Sequence, residues 1–315
     1  MEETKKYKIG FMGTPEEAAI ILQALINSGL FDIRVVITRP DKPVGRSDQP
    51  QPSPVKQAAL SANILVLTPE KVKGNSELLD QLRALDLDTI VVAIYSKILP
   101  PKILDMPKMG VVNVHPSILP KYRGASPVTG AILNNDPETG VTIMRLEETM
   151  DTGPIIGVSE KIKIESYDTT SSLAEKLAKI GAEALIKFLP DYLDGKIIPV
   201  PQADSGVTYV KLIDKQDGLI NWQEDAAAIE RKIRAYYPWP GTFTKFNGKT
   251  LKIIRADVLP ETGTLQSVWR TPDGYPAIFA NGGSLKLIQV QLEGKKPTTG
   301  ADFLKGYPTL LSGLV

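Results

Sequence analysis

The sequence predicts two domains in order, an α/β domain on a mostly parallel sheet and then a small β-barrel domain. Three observations carry this expectation. Through about residue 150, short apolar runs alternate with stretches of helical period. Past that point the alternation stops. In roughly the last 110 residues, turn signals recur about every 8 to 12 residues between short strands, the spacing of a small barrel. A length of 315 residues suits about two domains at roughly 150 residues each.

The elements follow in chain order. The run YKIGFM (7–12) is a first strand ending at Gly13-Thr14-Pro15. Ala18, Ala19, Leu22, Leu25 and Ile26 then share one helical face, and Gly29 stops the helix. DIRVVIT (32–38) and ILVLT (from residue 64) are the next strands, and SELLDQLRAL (76–85) reads as a helix capped by its serine. TIVVAIY (89–95), GVVNVHP (110–116) and VTIMRL (141–146) are further strands, with a helix in SPVTGAILNN between the last two. Strands this apolar, separated by helices, are buried on both faces, so helices cover both sides of the sheet. GPIIGVSEKIKI (153–164) reads as an extended segment or hairpin, and residues 169–189 as a long amphipathic helix. IIPVPQADSGVTYV (197–210) has no helical period and is expected to be the interdomain linker. One helix (224–237) and the strands TFTKF, TLKIIRADVL, GTLQSVW, PAIFA and SLKLIQVQLE complete the chain.

Composition closes several functional classes. At 42% apolar and 23% charged residues the chain has the balance of a globular protein rather than a disordered one. Cysteine is absent and His115 is the sole histidine, so thiolate nucleophiles, cysteine-ligated metals and two-histidine metal motifs cannot be built from this chain. Net charge is +1, which excludes a globally basic nucleic-acid binder but not a basic patch. Residues 206–315 carry 14 Lys/Arg against 10 Asp/Glu, net +4, whereas residues 1–205 carry the other 23 and 26, net −3. No apolar run reaches about 18 residues and the amino terminus has no leader pattern, so no membrane association and a cytoplasmic location are expected. The segment ending in Gly248-Lys249-Thr250 has Phe243 where a phosphate loop needs glycine; neither a G-x-G-x-x-G after the first strand nor a G-x-S-x-G is present.

One constellation could do chemistry. Asn113 and His115 alternate on a strand and therefore face the same way, with Val112 and Val114 opposite. Pro116 ends the pairing directly after them, at the carboxyl end of the strand, where α/β sheets bind ligands. A carboxamide N–H can donate to an oxygen turning negative, and an imidazole with an ordinary pKa of about 6.5 exchanges protons near neutrality. Asp151 is the leading carboxylate to orient that ring, with Gly153 and Pro154 forcing a turn after it. Taken alone, the same residues also fit a hydrogen-bonded strand-end histidine and ordinary turn chemistry, and residue chemistry goes no further.

The wider context does go further. NVHPSILPKYRGASP (113–127), followed by MDTGP (150–154) and preceded by FMGTP (11–15), closely resembles the pattern of the 10-formyltetrahydrofolate-dependent formyltransferases. KQDGLINW (215–222) and IRAYYPWPGTFT (233–244) resemble the barrel appended in the members that act on methionyl-tRNA, so the resemblance spans nearly the whole chain. It implies a Rossmann-like catalytic domain at 1–205 and an OB-like, tRNA-binding barrel at 206–315. It implies that 10-formyltetrahydrofolate is the formyl donor, contacted by Ser117, Ile118, Leu119 and Pro120, with no metal. The acceptor would be the α-amino group of methionine on initiator tRNA. Asn113 would stabilise the oxyanion, His115 would assist proton transfer, and Asp151 would orient His115. Pro116 and Ile118 replace a more common glycine and leucine without removing a functional group.

Transfer RNA needs its own contacts. Residues 39–54, with five prolines and three basic residues, match the family loop that reaches the acceptor stem, with Arg46 at the arginine position and Lys42 beside it; the bland alternative is a solvated loop. Lys211, Lys245 and Lys249, with Lys252, Arg255 and Lys286, are candidates for phosphate contacts on the barrel. A monomer is expected. Sugar-nucleotide formyltransferases and the formyltetrahydrofolate hydrolase domain are the rival readings, because they too carry a barrel; glycinamide ribonucleotide formyltransferases resemble only the first domain. A non-catalytic RNA-binding protein is disfavoured by the intact Asn113, His115 and Asp151.

Overall fold

The computed structural model describes residues 6–43 and 49–314; Arg46 lies outside them. The chain forms two compact units. The first comprises residues up to 124, 138–163 and 174–209, and the second comprises 125–137, 164–173 and 210 onward.

The first unit is built on seven strands: β1 (Tyr7–Gly13), β2 (Phe31–Ile37), β3 (Leu65–Leu67), β4 (Thr89–Ala93), β5 (Val111–His115), β6 (Thr142–Arg145) and β7 (Ile155–Val158). Their order across the sheet is β7-β6-β5-β4-β1-β2-β3. The five strands β3, β2, β1, β4 and β5 are parallel; β6 runs antiparallel to β5, and β7 pairs antiparallel with β6 at the edge. The strand order reverses between β1 and β4, which opens a crevice at their carboxyl ends, as in other Rossmann-like sheets. All five residues of β4 are buried, as its unbroken β-branched run requires of a central strand. Gly13 is needed where β1 ends: a Cβ there would lie 2.8 Å from both the Ala18 Cβ and the Ala93 carbonyl. That close approach lets α1 (Glu16–Ser28) start directly against the sheet.

Three local expectations are corrected. The helix α3 (Ser76–Ala84), which follows α2 (Pro54–Ser61), is capped by Asn75 and not by Ser76, since the Asn75 side-chain oxygen reaches the Leu78 N–H at 3.0 Å. After α4 (Pro101–Leu104) and α5 (Pro127–Leu133), the long helix α6 (Thr170–Leu193) continues past Leu189 with Pro190 inside it, and Asp194 N–H still bonds the Pro190 carbonyl. Pro190 removes one helical donor, and the packed residues Leu185, Leu189 and Tyr192 keep the helix going. The segment read as a linker is pinned to the first unit. Val200 makes a two-way backbone bridge with Ile155, and Thr208 bonds the backbone of residues 120, 122 and 123. Of the two readings of GPIIGVSEKIKI, the extended one holds: β7 joins the main sheet, while Ile162–Lys163 pairs with Glu138–Thr139.

In the second unit, α7 (Ala226–Ala235) is capped by the Asp225 carboxylate, and α5 lies against it. Strands β8 (Thr242–Phe246), β9 (Lys249–Leu259), β10 (Val268–Arg270), β11 (Pro276–Ala280) and β12 (Gly283–Leu292) form an antiparallel sheet in the order β8-β9-β12-β11-β10. Register shifts around Arg255 bend β9, the longest of them. The α7 residues Ile229 and Ile233 share a core with Trp222 from the segment before α7, with Phe246, Leu251 and Leu287 from this sheet, and with Phe303 from α8 (Gly300–Gly306). No described helix is long and apolar enough to cross a membrane.

Candidate active site

Asn113 and His115 occupy β5 two residues apart, and the sheet register confirms the alternation. Asn113 pairs with Met144 and with Val92, and His115 pairs with Thr142. Val114 points to the opposite face, where a Cβ on Gly181 of α6 would come within 3.0 Å of it. The strand ends at His115, as Pro116 demands.

The imidazole is only 3% exposed and has two facing partners. Its Nε2 lies 3.0 Å from the Tyr122 carbonyl oxygen, and its Nδ1 lies 3.8 Å from Asp151 Oδ1. A carbonyl can only accept, so Nε2 carries the hydrogen, and in the neutral ring Nδ1 holds the lone pair. Burial pushes the His115 pKa below its ordinary 6.5; the Asp151 carboxylate and the Tyr122 carbonyl pull it back up without cancelling the shift. The ring is therefore neutral at pH 7, with Nδ1 ready to take a proton and a carboxylate in place to stabilise the cation that results.

Asp151 is held by its neighbours. Its Oδ2 accepts the Gly124 N–H at 2.7 Å, and its backbone sits at φ +54°, in the left-handed region that aspartate tolerates better than most residues. Tyr122, whose carbonyl meets the imidazole, is also left-handed at φ +61°, a conformation costing about 1 kcal/mol for an aromatic residue. The turn after Asp151 requires Gly153, since a Cβ there would fall 1.9 Å from the Arg145 carbonyl oxygen.

The residues expected to touch folate are largely engaged within their own loop. Ser117 is fully buried and donates to the Lys121 carbonyl at 2.7 Å, while its own carbonyl accepts from Thr142 Oγ1. Leu119 is buried and bonds Thr142 through its N–H; Ile118 packs over Gly140, and Pro120 is half-buried after a cis bond. Among the candidate tRNA contacts, Lys42 is exposed in a two-residue ladder with Pro50–Gln51. Lys211 is paired with Asp217 at 2.6 Å. Lys245 and Lys249 are exposed on β8 and β9, and both draw the Glu293 carboxyl below its usual range, behind the bonds it accepts from Thr250. Lys245 also lines a cleft of about 640 Å³ with Lys215, Lys252 and Phe243.

Sequence reasoning misses four contributors. The Tyr122 carbonyl and Gly124 N–H are backbone groups and carry no residue signal. Gln202 reaches the Asp151 turn, and Arg123 holds Gln202, from positions that no spacing rule connects. A fifth feature is the loop after β4, the strand beside β5. Ile94 there is 45% exposed at φ +49°, and Ile98 is 86% exposed, an apolar surface at the carboxyl edge of the sheet. A β-branched residue in that conformation is a backbone outlier, which is a signal only coordinates reveal.

An amide, a neutral imidazole and a carboxylate at the rim of a Rossmann-like sheet define a group-transfer enzyme of the acyl or formyl type. Comparison with known proteins gives the family. Residues 7–189 match the formyl transferase model and residues 212–308 the model of the formyl transferase C-terminal domain. The chain is 41% identical over 306 residues to the methionyl-tRNA formyltransferase of Caldicellulosiruptor saccharolyticus, covering 95% of this chain and 96% of that one. It is 42% identical over 301 residues to that of Myxococcus xanthus, covering 95% of each. The chain belongs to the formyl transferase family and, within it, to the methionyl-tRNA formyltransferases. Among solved structures the fold is similar to WlaRD, a sugar 3N-formyl transferase (TM-score 0.65, 22% identity, 93% of this chain and 100% of that one). It is also similar to HypX from Aquifex aeolicus in complex with tetrahydrofolic acid (TM-score 0.66, 15% identity, 98% and 48%).

Proposed function

We infer that the chain transfers the formyl group of 10-formyltetrahydrofolate to the α-amino group of methionine carried by initiator tRNA. Residues 1–205 perform the transfer and residues 206–315 help hold the tRNA. The observation that supports this most is the approach of Asp151 to His115 Nδ1, on the strand face shared with Asn113. The amine nitrogen attacks the formyl carbon and the carbonyl oxygen takes the negative charge, which the Asn113 N–H₂ offsets. The amine loses a proton to His115 Nδ1, and the imidazolium is stabilised by Asp151. As the bond from the formyl carbon to N10 breaks, that proton passes to N10 and the ring returns to neutral. Asn113, His115 and Asp151 are the residues proposed to touch the reacting groups.

Folate binding is proposed along Ser117, Ile118, Leu119 and Pro120, and the exposed apolar surface of Ile94 and Ile98 suits the flat pterin of that substrate. Given how Ser117 and Leu119 are engaged, this loop would contact the ligand through backbone and the faces of Ile118 and Pro120. Lys42, Arg46, Lys211, Lys245 and Lys249 are proposed for tRNA phosphates, with Lys211 having to leave Asp217 to do so.

The test is acceptor choice. The purified protein, given 10-formyltetrahydrofolate, is expected to formylate methionyl initiator tRNA and not free methionine, as read by product chromatography. Formylation of an amino sugar nucleotide with none of the tRNA would replace this reading with the sugar-nucleotide one.

A further inference from the structure

We propose that Gln202 is a positioning residue for proton transfer, holding the Asp151 carboxylate at His115 Nδ1 by tying the Asp151–Gly153 turn to the Arg123 guanidinium. This rests on the formyl-transfer reading of the site. Gln202 is half-buried and all four hydrogen-bonding positions of its amide group have a partner. Nε2 donates to the Asp151 carbonyl and to the Gly153 carbonyl, each at 2.8 Å. Oε1 accepts from Arg123 Nη2 at 2.7 Å and from Arg123 Nε at 3.0 Å. Arg123 is only 9% exposed, and its remaining arm reaches the Tyr209 hydroxyl, with the guanidinium 6.0 Å from that ring. A buried guanidinium is a strong, planar donor and fixes the orientation of the amide, so the two N–H groups can point only at the turn.

The geometry gives this contact a specific task. Asp151 has left-handed backbone, and its carboxylate reaches Gly124 N–H and the imidazole only while the turn keeps that shape. The same strap of chain governs the other side of the ring. Thr208 accepts the Tyr122 N–H at 2.8 Å through its hydroxyl and the Arg123 N–H at 2.9 Å through its carbonyl, which fixes the peptide whose carbonyl meets His115 Nε2. Residues 202–208 thus clamp both partners of the imidazole, Asp151 at Nδ1 and Tyr122 at Nε2. The groups facing the ring are that carboxylate and that carbonyl, and the Arg123 charge stands behind Gln202.

His115 is the chain's sole histidine, so its ring signals are unambiguous by NMR. Two variants separate positioning from mere support. Gln202→Met loses every bond of the amide at similar length. Gln202→Glu keeps an acceptor for Arg123 and loses both donors to the turn. Wild type is expected to show the Nε2–H tautomer. In Gln202→Met the imidazole is expected to titrate at lower pH than in wild type, because the carboxylate that raises it is no longer held. Both variants are expected to lose about 10- to 100-fold in kcat, the scale of a small misplacement of a reacting group, with KM for either substrate unchanged. Wild-type kcat in Gln202→Glu, a loss confined to KM, or an unmoved His115 titration in folded Gln202→Met would each overturn the assignment. The NMR arm needs no turnover, so it tests Gln202 even in a protein that transfers no formyl group; absence of transfer by the wild type would instead remove the formyl-transfer reading alone.

Discussion

Replacing Asp151 with asparagine isolates the charge that the mechanism uses. The carboxamide keeps an oxygen for the Gly124 N–H, so the turn keeps its anchor, while the negative charge 3.8 Å from His115 Nδ1 is lost. At that distance and an effective dielectric of about 20, a full imidazolium–carboxylate pair interacts by about 4 kcal/mol. Both side chains are well buried, 4% and 13% exposed, so solvent screening does not erase this. If about half of the imidazolium charge has developed at the transition state, about 2 kcal/mol is lost, or about 30-fold in kcat at 1.4 kcal/mol per factor of ten. The assay is single-turnover formylation of methionyl-tRNA at saturating donor, with thermal denaturation as the control for folding. A single-turnover rate constant within threefold of wild type in a protein of unchanged Tm would refute the claim that Asp151 supports a charged ring.

Four further outcomes are expected. His115→Ala is expected to lose about 10²- to 10⁴-fold in turnover while keeping folate affinity, measured by equilibrium titration; unchanged turnover would remove the imidazole from the reaction. Because burial depresses the folded pKa of His115 below 6.5, the unfolded chain takes up the proton first. The stability associated with this residue is thus fully present above pH 6.5 and is lost as pH falls through the folded value; Tm measured against pH should fall less steeply in His115→Phe. Gly153→Ala places a methyl group 1.9 Å from the Arg145 carbonyl, which the turn can only relieve by moving; a destabilisation of about 2 kcal/mol in denaturant unfolding is expected, together with loss of activity. Arg46→Ala is expected to weaken tRNA binding more than folate binding, and the difference should shrink as salt is raised; equal losses would point to a folding defect.

Much of the scaffold is legible from residue order because it depends on near neighbours. The β-branched run of β4 has one stable place, the middle of a sheet, and all of its residues are buried there. Strand alternation puts Asn113 and His115 on one face, and Pro116 stops the strand behind them. The local turn marks Asp151 as a carboxylate partner, and in the fold Asp151 faces the imidazole. Elsewhere local rules misled where packing or a competing neighbour prevailed: Asn75 caps α3 in place of Ser76, and α6 runs on through Pro190.

What could not be read in advance is how the imidazole is held. Its Nε2 partner is a peptide carbonyl, and every residue has one, so Tyr122 is marked by nothing in its side chain. The left-handed backbone at Tyr122 and Asp151 has no glycine to announce it. Gln202 meets the Asp151 turn across 51 positions of chain, from a stretch that looks like a linker because its Pro, Ser and Gly content reports only the absence of helix or strand period. Periodicity and sterics act between residues a few positions apart and so are written in the order of the side chains. The protonation and orientation of His115 depend on hydrogen bonds whose partners become neighbours only when the chain has closed around them.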